Sequence, residues 1–199
     1  MTQAPRQREP WRTLASIPET LETERFVLEP LAPRHAALDF AALMSCRDRL
    51  RTELQWGDWP PADFTLDLNR QDLAEHYGEF VRREAFAYTV LSVNREQCLG
   101  CVYLERCEEI DGGQLAFWVI DDALEREVEL VEEMLHWVHQ EWAIERLLLP
   151  FHQTNQRGIN LARKCGLVDW ESPPTGPLVK HVCLLSVAGG LLTSRGLPT

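Results

Sequence analysis

The sequence predicts an α/β fold whose sheet is mostly antiparallel but includes one parallel pair of strands. Three observations predict it. Strand-like segments at 86–93, 98–105 and 114–120 are separated by the short turns 94–97 and 111–113, which suits an antiparallel meander. Val128, Val131, Leu135, Val138 and Trp142 then recur at steps of three, four, three and four, an unbroken apolar helical stripe. Residues 146–151 read as another strand, and the strand–helix–strand crossover from 114 to 151 should put its two strands parallel and be right-handed.

The remaining elements fall in order around these. A strand at 25–31 precedes Pro33, which opens a helix to about Met44. Residues 55–63 form a loop stopped by Pro60 and Pro61. Thr65 caps a helix whose apolar face is Leu66, Leu73, Tyr77 and Phe80. Asn155 caps a short helix ending at Gly166, a residue suited to left-handed backbone just past a helix. A last strand is expected at 178–187. Residues 1–20, with Pro5, Pro10 and Pro18 and no periodicity, read as a loose N-terminal arm, and 188–199 as a tail. The folded domain is therefore expected at 21–187.

A chain of 199 residues, 45% hydrophobic and 26% charged, has material for one core. Its net charge of −11 repels polyanions, and no Lys/Arg stripe offsets it, so nucleic acid is not expected as a ligand. No apolar run approaches the roughly 18 residues of a membrane span, and 1–20 lack a signal-peptide core. A cytoplasmic protein without membrane attachment is expected. Its six cysteines then read as free thiols. Cys98 and Cys101 form a CxxC, but on a regular strand residues three apart point to opposite faces, so buried thiols are expected there. His136 and His139 share a helix without a third ligand at fixed spacing, and no metal is expected.

The element order resembles the GNAT acyltransferases, and so do particular residues. Thr23-Glu-Arg-Phe-Val-Leu-Glu-Pro-Leu31 is similar to the opening strand of the branch that acetylates ribosomal-protein and other N-termini. Gln114-Leu-Ala-Phe-Trp-Val119 resembles its fourth strand. The run from Asn155 to Leu167 resembles its Asn…Lys-x-Gly-Phe helix, with Leu167 for Phe. The resemblance spans about residues 21–187. It implies a mixed, mostly antiparallel sheet with helices on both faces and a parallel pair that splays apart at its C-terminal ends. In that gap Phe117, Trp118 and Val119 would offer backbone groups to acetyl-CoA as co-substrate. Arg126, Glu127 and Val128 at the following helix start, with Asn155, would complete the cofactor contacts.

The resemblance breaks where the phosphates would lie. Residues 121–129, Asp-Asp-Ala-Leu-Glu-Arg-Glu-Val-Glu, contain no glycine and surround the single cation Arg126 with five acids. A carboxylate about 6 Å from a phosphate charge costs roughly 3 kcal/mol at an effective dielectric near 20. Acids in a first helical turn also stabilise the helix dipole with no ligand involved. The family's strand-borne base corresponds to Gln114, and the tyrosine that protonates the leaving thiolate to Ala162. Substitute bases are His152, just past the fifth-strand position, and Glu105 at the end of the third. Trp56 and Trp59, in the loop that covers the acceptor cleft of this fold, are candidates to shape a pocket for an apolar or cationic acceptor. Two functions remain open: an N-acyltransferase acting on an amine of a small molecule or protein N-terminus, and a non-catalytic binding or regulatory module. A homodimer is left open with either.

Overall fold

The structure is a computed structural model that describes residues 16–142, 144–169 and 178–184. Most of the expected arm, the tail at 188–199 and the Cys183 side chain lie outside the described residues. The chain runs β1 (Leu21–Glu22), β2 (Phe26–Pro30), α1 (Ala36–Ser45), α2 (Arg47–Leu54), α3 (Leu66–Arg82), β3 (Ala85–Ser92), β4 (Cys98–Cys107), β5 (Gly112–Val119), α4 (Glu127–Glu141), β6 (Arg146–His152), α5 (Gln156–Lys164), β7 (Val168–Asp169) and β8 (Leu178–Leu184). All eight strands form one sheet in the order β1-β2-β3-β4-β5-β6-β8-β7.

Every neighbouring pair is antiparallel except β5 and β6. Those two are parallel through only Gly113↔Leu147 and Gln114↔Leu148, whereas β5 pairs with β4 as far as Val119. Beyond Gln114 the two strands part, and the sheet opens toward their C-terminal ends as expected. Adjacent residues of a strand face opposite ways, and β3 uses both faces. Thr89 bonds His35 ahead of α1 at 3.1 Å, while Phe86 and Tyr88 pack edge-on against Trp142 and Trp137 at the end of α4. Helices therefore cover both faces. Val131, Leu135, Val138 and Trp142 are buried, so the predicted stripe is the inner face of α4.

The sequence reading needs four corrections. First, α2 was absent from it: Cys46, with φ −126°, interrupts the helical run after Ser45, and Arg47–Leu54 then forms a second, largely polar helix. Second, Tyr77 is 41% exposed, and Asn69 replaces it on the buried side of α3 beside Leu73 and Phe80. Third, Gly112 and Gly113 lie inside β5; the turn before it is a 3-10 segment at Glu108–Ile110, with Asp111 in the left-handed region. Fourth, Cys98 and Cys101 point to the same side. Opposite β3, Val90 pairs with Gly100 and Leu91 with Cys98, so Leu99 is an extra residue and a β-bulge resets the alternation.

That bulge depends on Gly100. A Cβ there would overlap the Trp118 carbonyl oxygen and crowd Val119 Cα, both fixed backbone atoms of β5. Gly100→Ala should therefore lower unfolding free energy by about 2 kcal/mol or more in chemical denaturation. A change below about 0.5 kcal/mol would show that the bulge relaxes freely.

Candidate functional site

The gap between β5 and β6 divides into an open half and a closed half. The open half is a cavity of about 450 Å³ whose wall includes Trp56, Trp59, Tyr103, Glu105, Phe117 and His152. The loop after α2 brings in its aromatics: Trp56 lies 5.5 Å from the Trp59 ring and 5.6 Å, edge-on, from Tyr103. The His76 ring of α3 lies 5.5 Å from that of Tyr103, tilted by 52°, on the same wall. Asp72, one helical turn before His76, adds a carboxylate whose pKa burial raises, with His76 opposing that shift. The cavity is thus aromatic, partly anionic and open to solvent, a lining suited to a cation.

Both candidate bases line this cavity. Glu105 is half-buried and pairs across the sheet with Gln114, and both line the cavity. His152 ends β6, and its Nδ1 shares a 2.7 Å hydrogen bond with the Thr154 hydroxyl. Nδ1 also accepts from the Thr154 N–H at 3.4 Å, so in the neutral ring Nε2 carries the proton and Nδ1 is the basic nitrogen. Ala162 is completely buried, so α5 offers no polar side chain at the position that would protonate a leaving thiolate.

The closed half lies between β5, α2, α4 and α5, where a remnant of about 10 Å³ is bounded by Phe117, Trp118, Glu127, Asn155 and Arg157. Side chains fill the rest. Arg49 of α2 donates to the Val119 carbonyl at 2.5 Å, to Asp121 at 2.6 Å and to Glu53 at 2.8 Å. Arg157 of α5 grips Glu53 through two nitrogens, at 2.9 and 2.6 Å, and pairs with Glu127 at the start of α4. Asn155 caps α5 by accepting from the Gly158 N–H at 2.8 Å.

These contacts change how the acidic segment reads. Arg126, its one local cation, is exposed at the N-cap of α4 and has no side-chain capping bond. The fold instead brings distant arginines to the acids: Arg49 to Asp121, Arg157 to Glu127 and Arg25 to Glu129, the last at 2.9 Å. Val128 packs against the core from the first turn of α4. Asp122 and Glu125 remain exposed. Sequence reasoning missed Arg49, Glu53 and Arg157. Arg49 and Glu53 stand four apart, the spacing of a helical ion pair, but only with α2 assigned would that signal register.

Two carboxylates share Arg157 yet shift oppositely. Burial raises Glu127, and the attraction of Arg157 offsets this only in part; at 4% exposure, desolvation wins. Burial also works against ionised Glu53, but hydrogen bonds and attraction from Arg157 and Arg49 outweigh it and hold that carboxyl below its usual range. Glu127 is the more deeply buried of the two and hydrogen-bonds one guanidinium where Glu53 hydrogen-bonds two.

The family model for the acetyltransferase (GNAT) domain matches residues 25–168. A search of curated proteins finds no match. Among solved structures, ribosomal-protein-S5-alanine acetyltransferase from Vibrio fischeri aligns with a TM-score of 0.70 at 14% identity, covering 87% of this chain and all of its own. RimL, a ribosomal L7/L12 alpha-N-protein acetyltransferase solved with coenzyme A, aligns at 0.68 and 14% identity over 83% of this chain and 98% of its own. The microcin C7 self-immunity acetyltransferase MccE, solved with acetyl-CoA and AMP, aligns at 0.68 and 9% identity, over 81% and 93%. At such identities the likeness is one of fold.

Because Glu53 has a depressed pKa, its contribution to stability is present above its unfolded value, about pH 4.5, and is lost as pH falls through the folded one. Glu53→Gln should cost about 1–3 kcal/mol at pH 7. The gap from wild type should narrow in acid. Urea melts of both proteins at pH 7 and pH 3.5 test this, and a gap that stays constant with pH would remove the ionised pair as its source.

Proposed function

Because the chain belongs to the GNAT acetyltransferase domain family, we propose that it is an N-acyltransferase for an amine acceptor bound in the aromatic cavity, with acetyl-CoA as co-substrate. The observation that carries this reading is the convergence of Trp56, Trp59, Asp72, Glu105 and His152 on one cavity at the opening of β5 and β6. An alkylammonium suits these walls: the rings attract it through their faces, and Asp72 is a half-buried carboxylate whose burial it would offset. A peptide N-terminus or a small aromatic or aliphatic amine has that chemistry.

The chain's own residues supply acceptor binding and proton removal. The ammonium is not nucleophilic until it loses a proton, and among the titratable groups on the cavity wall Glu105 and His152 are the two candidates to take it. The donor half does not fit a diphosphate in the arrangement described. Glu53 and Glu127 already hold Arg157, Arg49 caps the Val119 carbonyl, and about 10 Å³ remains. This observation favours a second reading, an amine-binding module with the fold of an acyltransferase and no transfer step.

Titration calorimetry separates the two readings. The enzyme reading expects saturable acetyl-CoA binding, tightened at least tenfold in Glu53→Gln/Glu127→Gln, where the arginines lose their carboxylate partners. No binding by either protein at millimolar acetyl-CoA supports the module. On any amine that proves active, replacing the true base should lower kcat by roughly 10²–10⁴-fold. Full kcat in both His152→Gln and Glu105→Gln removes both from that role.

A further inference from the structure

Away from the gap, the β4 bulge gathers a second cluster that neither reading uses. Asp39 of α1, Cys98 and Cys101 are 3%, 1% and 0% exposed. One carboxylate oxygen and the two sulfurs lie within 4.8 Å of one another. Cys101 Sγ stands 3.1 Å from Asp39 Oδ1, and Cys98 Sγ 4.0 Å from the same oxygen. We propose that Asp39, Cys98 and Cys101 form a binding site for a thiophilic divalent cation of the zinc type.

The ligand geometry fits. With Zn–S near 2.3 Å and Zn–O near 2.0 Å, a tetrahedral site has S···O edges of about 3.5 Å and an S···S edge of about 3.8 Å. The two S···O distances bracket that value and the sulfurs lie within 4.8 Å of each other, so shifts of at most about an ångström seat the ion. Two thiols with one carboxylate favour zinc over the harder magnesium and calcium.

The surroundings fit as well. Asn69 Nδ2 donates to Asp39 Oδ2 at 2.9 Å, which orients the carboxylate and leaves Oδ1 for the sulfurs, the support that a metal-binding carboxylate needs. Among the described residues Asp39 has no ion-pair partner, and a buried carboxylate is costly without a cation. Cys98 also lines a surface depression with Glu96, Asp121 and Asp122. With Asp121 held by Arg49, the exposed Glu96 and Asp122 draw cations toward the site, and a water entering from the depression would complete the ligand set. Binding exchanges two thiol protons for one divalent ion, which leaves the ion, two thiolates and the carboxylate at net −1.

The test uses the full chain, reduced and stripped of metal, titrated with Co²⁺ and then with Zn²⁺. We expect one Co²⁺ per chain, with a thiolate-to-cobalt charge-transfer band and the visible bands of tetrahedral cobalt, displaced by Zn²⁺. Cys98→Ser and Asp39→Asn should each weaken Zn²⁺ at least about tenfold, as should Asn69→Ala, which alters only the support. Cys107→Ser, a thiol outside the cluster, should bind as wild type does. A wild-type titration without the charge-transfer band overturns the proposal whether or not the variants fold. So does a band that survives Cys98→Ser, or a protein that forms a Cys98–Cys101 disulfide and binds no Co²⁺ when reduced.

Discussion

The pairing of Arg49 and Arg157 with Glu53, Glu127 and Asp121 is the constraint on which the middle of this molecule depends. A sheet that opens between β5 and β6 leaves backbone and helix ends facing each other across a cleft, and something must satisfy them. Here protein side chains do so. Arg49 reaches from α2 to the Val119 carbonyl, and Arg157 reaches from α5 to both α2 and α4. Four elements separated widely in sequence are thereby tied at one point. The cluster holds three carboxylates and two guanidiniums, so the acidic segment at 121–129 is largely neutralised where it meets the fold.

Such a tie is not a large source of stability in itself. Ion pairs taken out of water lose hydration comparable to what they regain, and the rise in the Glu127 pKa expresses that loss directly. What the cluster supplies is position: bidentate guanidinium–carboxylate geometry fixes where α2 and α5 stand. The loop after α2 carries Trp56 and Trp59, so the walls of the open cavity inherit their placement from the closed half. A molecule that displaced the carboxylates from Arg157 would therefore be felt at the aromatic wall of the open cavity.

Much of the fold was legible in the sequence because its signals are local. The α4 stripe, the Thr65 and Asn155 caps and the left-handed Gly166 each act within one or two turns, and each is present. The parallel pair followed from the single helix that crosses between its two strands. What escaped was of two kinds. α2 has little apolar periodicity, and its start is set by the backbone at Cys46 rather than by a proline or glycine. Apart from Arg49–Glu53 within α2, the cluster contacts join residues 30 to 104 positions apart, for which no spacing rule exists. The acidic run looked hostile to an anion because its arginines, 25, 49 and 157, lie far from it in sequence.

The CxxC is a sharper instance of the same limit. Period-two alternation is a rule about regular strands, and it separates Cys98 from Cys101 only while the register is unbroken. One extra residue opposite β3 reverses the conclusion and turns two dispersed thiols into neighbours of Asp39. The sequence signal for this is Gly100 between them, since glycine inside a strand often marks a bulge or a close backbone approach. Both apply: the residue sits at the bulge, and the Trp118 carbonyl occupies the place of a side chain. The one position in β4 that cannot carry a Cβ is thus the position that aims both sulfurs at a single carboxylate.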